Sequence, residues 1–379
     1  MNRIKRLDVL YHDRKVGTLA VYKEYLTAFE YDKDWLHDGF SISPFSLPLR
    51  SEVFIPRLQP FDGLFGVFAD SLPDGWGRLL VDRLLRRHRI DPSRMNSLDR
   101  LAVVGSSGMG ALTYHPEAFL SAGTPIADLD VLAAECRRLL QTDDSSRLDD
   151  LFRLGGSSGG ARPKVLTQID GEEWIIKFPS SCDSPDIGCQ EYAYSLCARE
   201  CGIEMEETRL FPSALCSGYF GTRRFDRHAS GSESERLHML SAGALLETSH
   251  RIPNLDYDTL MRLTLALTKD SAELLKLYRR MCFNVFAHNR DDHSKNFSYL
   301  YLEAEKRWRL SPAYDLTYSY SLNGEHATAI HGNGNAPGLY DLLAVAKDAG
   351  ISARTARRIA SQVQECVSAR LKEYLERQA

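Results

Sequence analysis

Residues 287–296 read AHNRDDHSKN, and this polar block limits what the chain can fold into more than any other stretch. It follows LYRRMCFNVF, an amphipathic run that predicts a helix with a buried face. It precedes FSYLYL, whose alternation predicts a half-buried strand. A solvated turn between two buried elements needs only a Gly or an Asn. Ten residues rich in carboxylate, imidazole, ammonium and amide groups are more than a turn requires, so the block is a candidate site.

The chain has 379 residues, 43% hydrophobic and 26% charged, which suits a globular protein of two or three domains. Its net charge of −4 argues against a nucleic-acid groove spread over the whole surface. The eight cysteines contain no C-x-x-C pair, which suits reduced thiols better than a disulfide or zinc framework. Cys197 and Cys201 lie one helical turn apart and read as small apolar residues on a helix face. No apolar run is long enough for a signal peptide or a membrane span, so the expectation is a cytoplasmic protein with no membrane partner.

Three strands are expected in LDVLYH, KVGTLAVY and LTAFEY, then a helix over GWGRLLVDRLL with Asp74 or Ser71 as its cap. RLAVVGSSGMGALTYHP reads as strand, glycine turn and strand, and IADLDVLAAECRRLLQ as a helix. The polar run TDDSSRLDD marks a subdomain boundary, giving segments 1–145, 146–238 and 239–379. Next come a strand at LFRL, a glycine loop, strands PKVLTQI and WIIKF about the turn DGEE, and a helix at CQEYAYSLCARE stopped by Gly202. After two further strands the chain turns helical, apart from a hairpin over 297–310.

Two glycine loops compete for a phosphate. GSSGMG at 105–110 leads into a returning strand and reads as a turn. GGSSGGARPK at 155–164 is the stronger candidate. Gly159 and Gly160, with Ala161, free backbone N–H groups to face an anion, and Arg162 and Lys164 add positive charge. The alternative is a flexible hairpin tip. Lys177 ends the apolar strand WIIK, where a lysine is costly unless an anion meets it, although it could also snorkel from an edge strand. Glu191, fourteen residues on in the next helix, is its candidate partner.

Asp291 and Asn296 form D-x-x-x-x-N, the spacing of a kinase catalytic loop. The aspartate would accept the proton of the attacking hydroxyl, and the asparagine oxygen would hold Mg²⁺. Asp315, beyond the hairpin in SPAYDL, would be the second Mg²⁺ ligand. Two alternatives stay open for the block: transition-metal ligation by His288, Asp291, Asp292 and His293, and a polar capping cluster. Glycine loop, strand lysine, D-x-x-x-x-N and later Asp together point to Mg-ATP phosphoryl transfer.

FADSLPDGWGRLL, GGARPK, WIIKFP, RRFDR, NRDDHSKNFS and PAYD resemble the HipA family of serine/threonine kinases, toxins of bacterial type II toxin–antitoxin pairs, over nearly the whole chain. The resemblance implies an α+β, protein-kinase-like two-lobed fold with an added N-terminal β-rich subdomain and a helical C-terminal lobe. It implies Asp291 as catalytic base, Asn296 and Asp315 as magnesium ligands, Lys177 on the nucleotide and the glycine loop over its phosphates. It also implies autophosphorylation of a loop serine that switches the kinase off, with Ser157 the best match and Ser158 its neighbour. Family substrates are aminoacyl-tRNA synthetases. The usual partner is a helix-turn-helix antitoxin of HipB type, through which operator DNA is contacted. Part of the family carries Gln-Glu where this chain has Arg162-Pro163.

Two other functions compete. LLAVAKDAGISARTARRIASQV at 342–363 has a helix-turn-helix look and would make the chain a DNA-binding regulator, unless its apolar stripe packs internally. A kinase fold could also phosphorylate a small molecule.

Overall fold

The computed structural model describes residues 3–118, 128–142, 147–156, 159–230, 233–320 and 324–376. Along the chain run β1 (Arg6–Tyr11), β2 (Arg14–Tyr22), β3 (Leu26–Tyr31), α1 (Lys33–Asp38), β4 (Val53–Phe54), α2 (Gly66–Ala69), α3 (Gly75–Arg87), α4 (Ser97–Val104), β5 (Leu112–His115), α5 (Leu129–Thr142) and α6 (Leu148–Gly155). Then come β6 (Lys164–Ile169), β7 (Glu172–Lys177), α7 (Ile187–Glu200), β8 (Thr208–Phe211), β9 (Tyr219–Arg223), β10 (Arg227–Ser230), β11 (Glu233–Arg236), β12 (His238–Ser241) and α8 (Ala242–Leu245). The remainder is β13 (Leu255–Asp256), α9 (Tyr257–Thr268), α10 (Ser271–Phe286), β14 (Ser298–Leu302), β15 (Arg307–Leu310), β16 (Thr328–Ala329), α11 (Leu339–Asp348), α12 (Ala353–Arg370) and α13 (Lys372–Glu376). Among the described residues no helix is long and apolar enough to cross a membrane.

The chain divides into two compact units: Met1–Pro185 with Phe211–Leu240 and Ala244–Thr248, and Asp186–Leu210 with Ser241–Gly243 and Ser249–Ala379. In the first, the three expected strands β1, β2 and β3 join β4 and β5 in a five-stranded antiparallel sheet ordered β4-β3-β2-β1-β5. A second antiparallel set, β6-β7-β9, has one face on the core. The alternation Val165, Trp174 and Ile176 puts those residues into a cluster with Trp76, Leu80 and Leu84 of α3, Cys136 and Leu139 of α5, and Leu151 and Phe152 of α6. The β6–β7 turn is Asp170-Gly171, with φ of 54° and 82°. Positive φ at both central residues matches the tight hairpin turn that follows strand twist.

Two expectations are corrected here. LFRL is not a strand: Leu148–Gly155 is a helix, with Leu148, Leu151, Phe152 and Gly155 buried at helical spacing. The 155–164 loop therefore leaves a helix and enters a strand, unlike the strand–loop–strand flap expected from the sequence. RLAVV is also helical. Asn96 and Asp99 close a reciprocal capping box that starts α4, and Leu98, Leu101, Ala102, Val103 and Val104 are all buried. An apolar run buried on every side has no period to separate helix from strand.

The GSSGMG segment is held by arginines. Arg236 donates to the carbonyls of Ser106, Gly108 and Gly110, at 2.7, 2.8 and 3.0 Å, and Arg227 donates to Gly108 at 3.1 Å. Asp226 is fully buried between Arg224 at 2.8 Å and Arg227 at 2.7 Å, and accepts the Gly110 N–H at 2.7 Å. Burial alone would raise its pKa; the two guanidiniums reverse that and hold it well below the usual carboxylate range. RRFDR thus builds a structural clamp, and a segment whose carbonyls face guanidiniums is no phosphate cradle.

The second unit is mainly helical. Asp256 caps α9, and Asp270 caps α10 through the Ala272 N–H at 2.8 Å. The antiparallel hairpin β14–β15 pairs Tyr299 with Leu310. In α12, Ala356, Ile359, Ala360, Val363 and Val367 form one buried stripe, and α12 packs on α7, α10 and α11. The helix-turn-helix-like segment therefore spends its apolar face on internal packing.

Candidate functional site

The 287–296 block sorts by burial into anchors and an exposed apex. Asn289 is buried and donates to Asn284 Oδ1 of α10 at 3.0 Å; Asn284 in turn donates to the Tyr257 hydroxyl at 2.8 Å. Asp292 is fully buried. It accepts the Tyr257 O–H at 3.0 Å and the Thr328 N–H at 3.1 Å, and His326 Nδ1 lies 3.0 Å away. Thr328 sits in β16, paired in parallel with β13 immediately before α9. Two segments distant in sequence, at Tyr257 and at His326 to Thr328, therefore hold one carboxylate. Burial and the Asp292 charge push the Tyr257 hydroxyl pKa well above its ordinary value, so the phenol stays a donor.

Asp291, between these anchors, is exposed. Asn296 Nδ2 donates to the Asp291 carbonyl at 2.5 Å, closing the D-x-x-x-x-N turn. That bond uses the NH₂ end of the amide and leaves its oxygen end directed elsewhere. Asp315 is partly buried and takes a left-handed backbone, φ 53°, unusual for a residue with a side chain. Its neighbour Tyr314 donates to the Lys295 carbonyl at 2.6 Å, and its oxygen lies 2.6 Å from Ser298 Oγ. The residues preceding Asp315 and Asn296 are thus pinned together. His288, with φ 52°, stacks on Tyr318; burial first, then Arg290 and His326, lower its pKa. His293 caps the short 294–296 turn, its Nδ1 taking the Lys295 N–H at 3.3 Å. Among the described residues, those of the block form no metal-ligand group.

In the first unit, Lys164 and Lys177 are directly opposite in the β6–β7 ladder, so their side chains share one face. Like charges in that relation repel. Lys164 is 7% exposed, while Lys177 is half-buried with its ammonium 5.4 Å over the Phe220 ring. The glycine loop closes over Lys164. A Cβ on Gly160 would lie 2.6 Å from Lys164 Nζ, and Gly160 has φ +82°, so only glycine fits.

The start of α3 grips this loop on both sides. Asp74 stands at the expected N-cap position but makes no capping bond with its side chain. Its carboxylate instead accepts the Gly160 N–H, while Trp76 N–H donates to the Gly160 carbonyl at 2.9 Å. Trp76 Nε1 donates to the Lys164 carbonyl at 3.1 Å. Arg162 pairs with Asp183 at 3.1 Å. Gly159 and Ala161 are exposed, and Ser157 and Ser158 lie outside the described residues. Glu191 is 3% exposed, on α7 of the second unit. Replacing Asp74 with Ala removes a charge-assisted bond worth about 1.5–3 kcal/mol. Amide exchange of the peptide containing Gly160 should rise roughly tenfold or more; unchanged exchange would show that the grip is absent in solution.

Sequence reading missed Tyr257, Asn284, His326 and Thr328. Asn284, an amide inside the apolar MCFNVF, was the one visible signal.

Residues 7–115 match the family model of the HipA N-terminal domain, and residues 156–371 match the HipA-like C-terminal domain. The chain belongs to the HipA family. A chain of the Shewanella oneidensis MR-1 complex of HipA, HipB and operator DNA superposes with a TM-score of 0.72 at 18% identity, covering 97% of this chain and 90% of that one. The α+β architecture is therefore the HipA fold. "Putative kinase Y4dM" of Sinorhizobium fredii is 26% identical over 350 residues, 87% of this HipA-family chain and 81% of the relative. "Putative kinase Y4mE" of the same organism is 27% identical over 355 residues, 83% and 77% respectively.

Proposed function

We propose that this HipA-family chain is a cytoplasmic, Mg-ATP-dependent serine/threonine protein kinase, the toxin of a toxin–antitoxin pair. The observation that carries the reading is the 287–296 loop, with exposed Asp291 set between buried anchors and Asn296 closing the turn. The relatives named as kinases support it.

The residues present suit the groups such a reaction needs. Asn296 and Asp315 offer hard oxygen donors of the kind magnesium takes, and the Lys164–Lys177 pair suits a polyphosphate. Magnesium, when bound, supplies neutralisation of charge on the phosphates. Asp291 orients the attacking serine hydroxyl and accepts its proton. Lys164 and Lys177 hold negative charge in place, with the 159–162 loop and its Arg162 over the phosphates. Autophosphorylation at Ser157, or at Ser158, would add nearly two negative charges to the glycine loop and oppose nucleotide binding.

The expected substrate is a translation component such as an aminoacyl-tRNA synthetase. The expected partner is a helix-turn-helix antitoxin of HipB type that makes most of the contact with operator DNA; the similar Shewanella complex contains HipB and operator DNA. The test is incubation with terminally labelled ATP and magnesium, followed by phosphopeptide mass spectrometry. Phosphate on protein serine, within 157–158 or on an added synthetase, is the expected result. Label confined to sugars or aminoglycosides would replace this reading with a small-molecule phosphotransferase.

A further inference from the structure

Away from the candidate active site, three cysteines meet. Cys197 and Cys201 sit one turn apart at the end of α7, and Cys366 comes from α12, some 165 positions further along. Their three sulfurs all lie within 4.8 Å of one another, with Cys197 Sγ and Cys366 Sγ 4.0 Å apart. Cys197 and Cys201 are 1% and 4% exposed, while Cys366 is half-buried and opens one side of the cluster. The sequence presented Cys197 and Cys201 as two small residues on a helix face; only the fold adds the third thiol.

The geometry points to a three-sulfur site for a thiophilic d¹⁰ ion, and we propose monovalent copper as its ligand. Three thiolates spaced evenly in a plane around an ion at a metal–sulfur distance of ~2.3 Å are separated by ~4.0 Å. The Cys197–Cys366 separation has that value before any ion arrives. No fourth His, Asp or Glu joins the group among the described residues, which favours a three-coordinate ion over a tetrahedral one. The nearest carboxylate chemistry is spoken for: Glu200 holds Arg370 through two bonds, at 2.6 and 3.0 Å.

Hydrogen bonding from Cys201 lowers the Cys197 pKa, while the bond to Cys197 raises Cys201 and burial raises Cys366, so the three thiols share one readily lost proton. Arg279 donates to the Cys201 carbonyl at 2.9 Å, so guanidiniums flank the site from two helices. Binding is ligand exchange without electron transfer: each thiol that bonds the ion releases its proton to solvent, and copper stays monovalent. The bound ion would staple α7 to α12.

The test is an anaerobic titration with monovalent copper against a chromophoric copper(I) chelator, using the full chain with exposed Cys182 changed to Ser. Compared with Cys366→Ser and Cys197→Ser in that background, the parent should hold one equivalent at least tenfold more tightly. X-ray absorption should show three sulfur neighbours at ~2.3 Å. Circular dichroism of each variant confirms folding, and Cys201→Ala provides a third variant should one fail. Equal affinity in parent and variants overturns the proposal, as does a two-sulfur copper environment.

Discussion

Changing Asp291 to Asn should lower phosphotransfer by ~10²–10⁴-fold, the usual contribution of a positioned general base. Asn keeps the shape of the side chain but removes its charge and its capacity to take a proton. The loop itself should survive, because Asp291 is exposed and Asn296 binds its backbone carbonyl, not its carboxylate. Stability should change by no more than about 0.5 kcal/mol, as for ordinary surface substitutions. Initial rates of label transfer from ATP, with a denaturation curve on the same sample, separate the two effects. A variant retaining wild-type rate would remove Asp291 from the chemistry.

The neighbouring carboxylate should behave in the opposite way. Changing Asp292 to Ala should cost about 3–5 kcal/mol, because it strips a buried acceptor from Tyr257, His326 and the Thr328 N–H at once. These donors would be left without water or a replacement partner. Urea unfolding should show an earlier midpoint, and activity should fall with the loop it depends on. A midpoint within error of wild type would mean that the network contributes little. Two adjacent aspartates would thus divide into one that is chemical and one that is architectural.

That division could not be read from NRDDHS alone. Spacing singled out Asp291 through Asn296, but nothing local tells which of two neighbouring carboxylates points inward. The partners of Asp292 come from positions 257, 326 and 328, and only folding brings them together. Local signals did better where the physics is local. The β1, β2 and β3 strands follow their alternation, and the Asp170-Gly171 turn and the α12 stripe follow theirs. The errors fell on short apolar segments. LFRL carries too few residues to display a period by itself; adding Leu148 reveals the helical spacing. LAVV is buried all round, so its pattern is silent, and the Asn96–Asp99 capping box was the cue that distinguished it. Asp74 looked like a cap by position, yet its carboxylate serves a glycine loop 86 residues further on.

The grip of Asp74 and Trp76 on Gly160 joins what family boundaries separate. Residues 7–115 and 156–371 match as distinct modules, but the backbone of the second module's loop is completed by the first. A truncated protein beginning near residue 150, or a hybrid grafting this C-terminal module behind a foreign leader, would inherit Gly160 with neither neighbour. Such modules are exchangeable only as a matched pair.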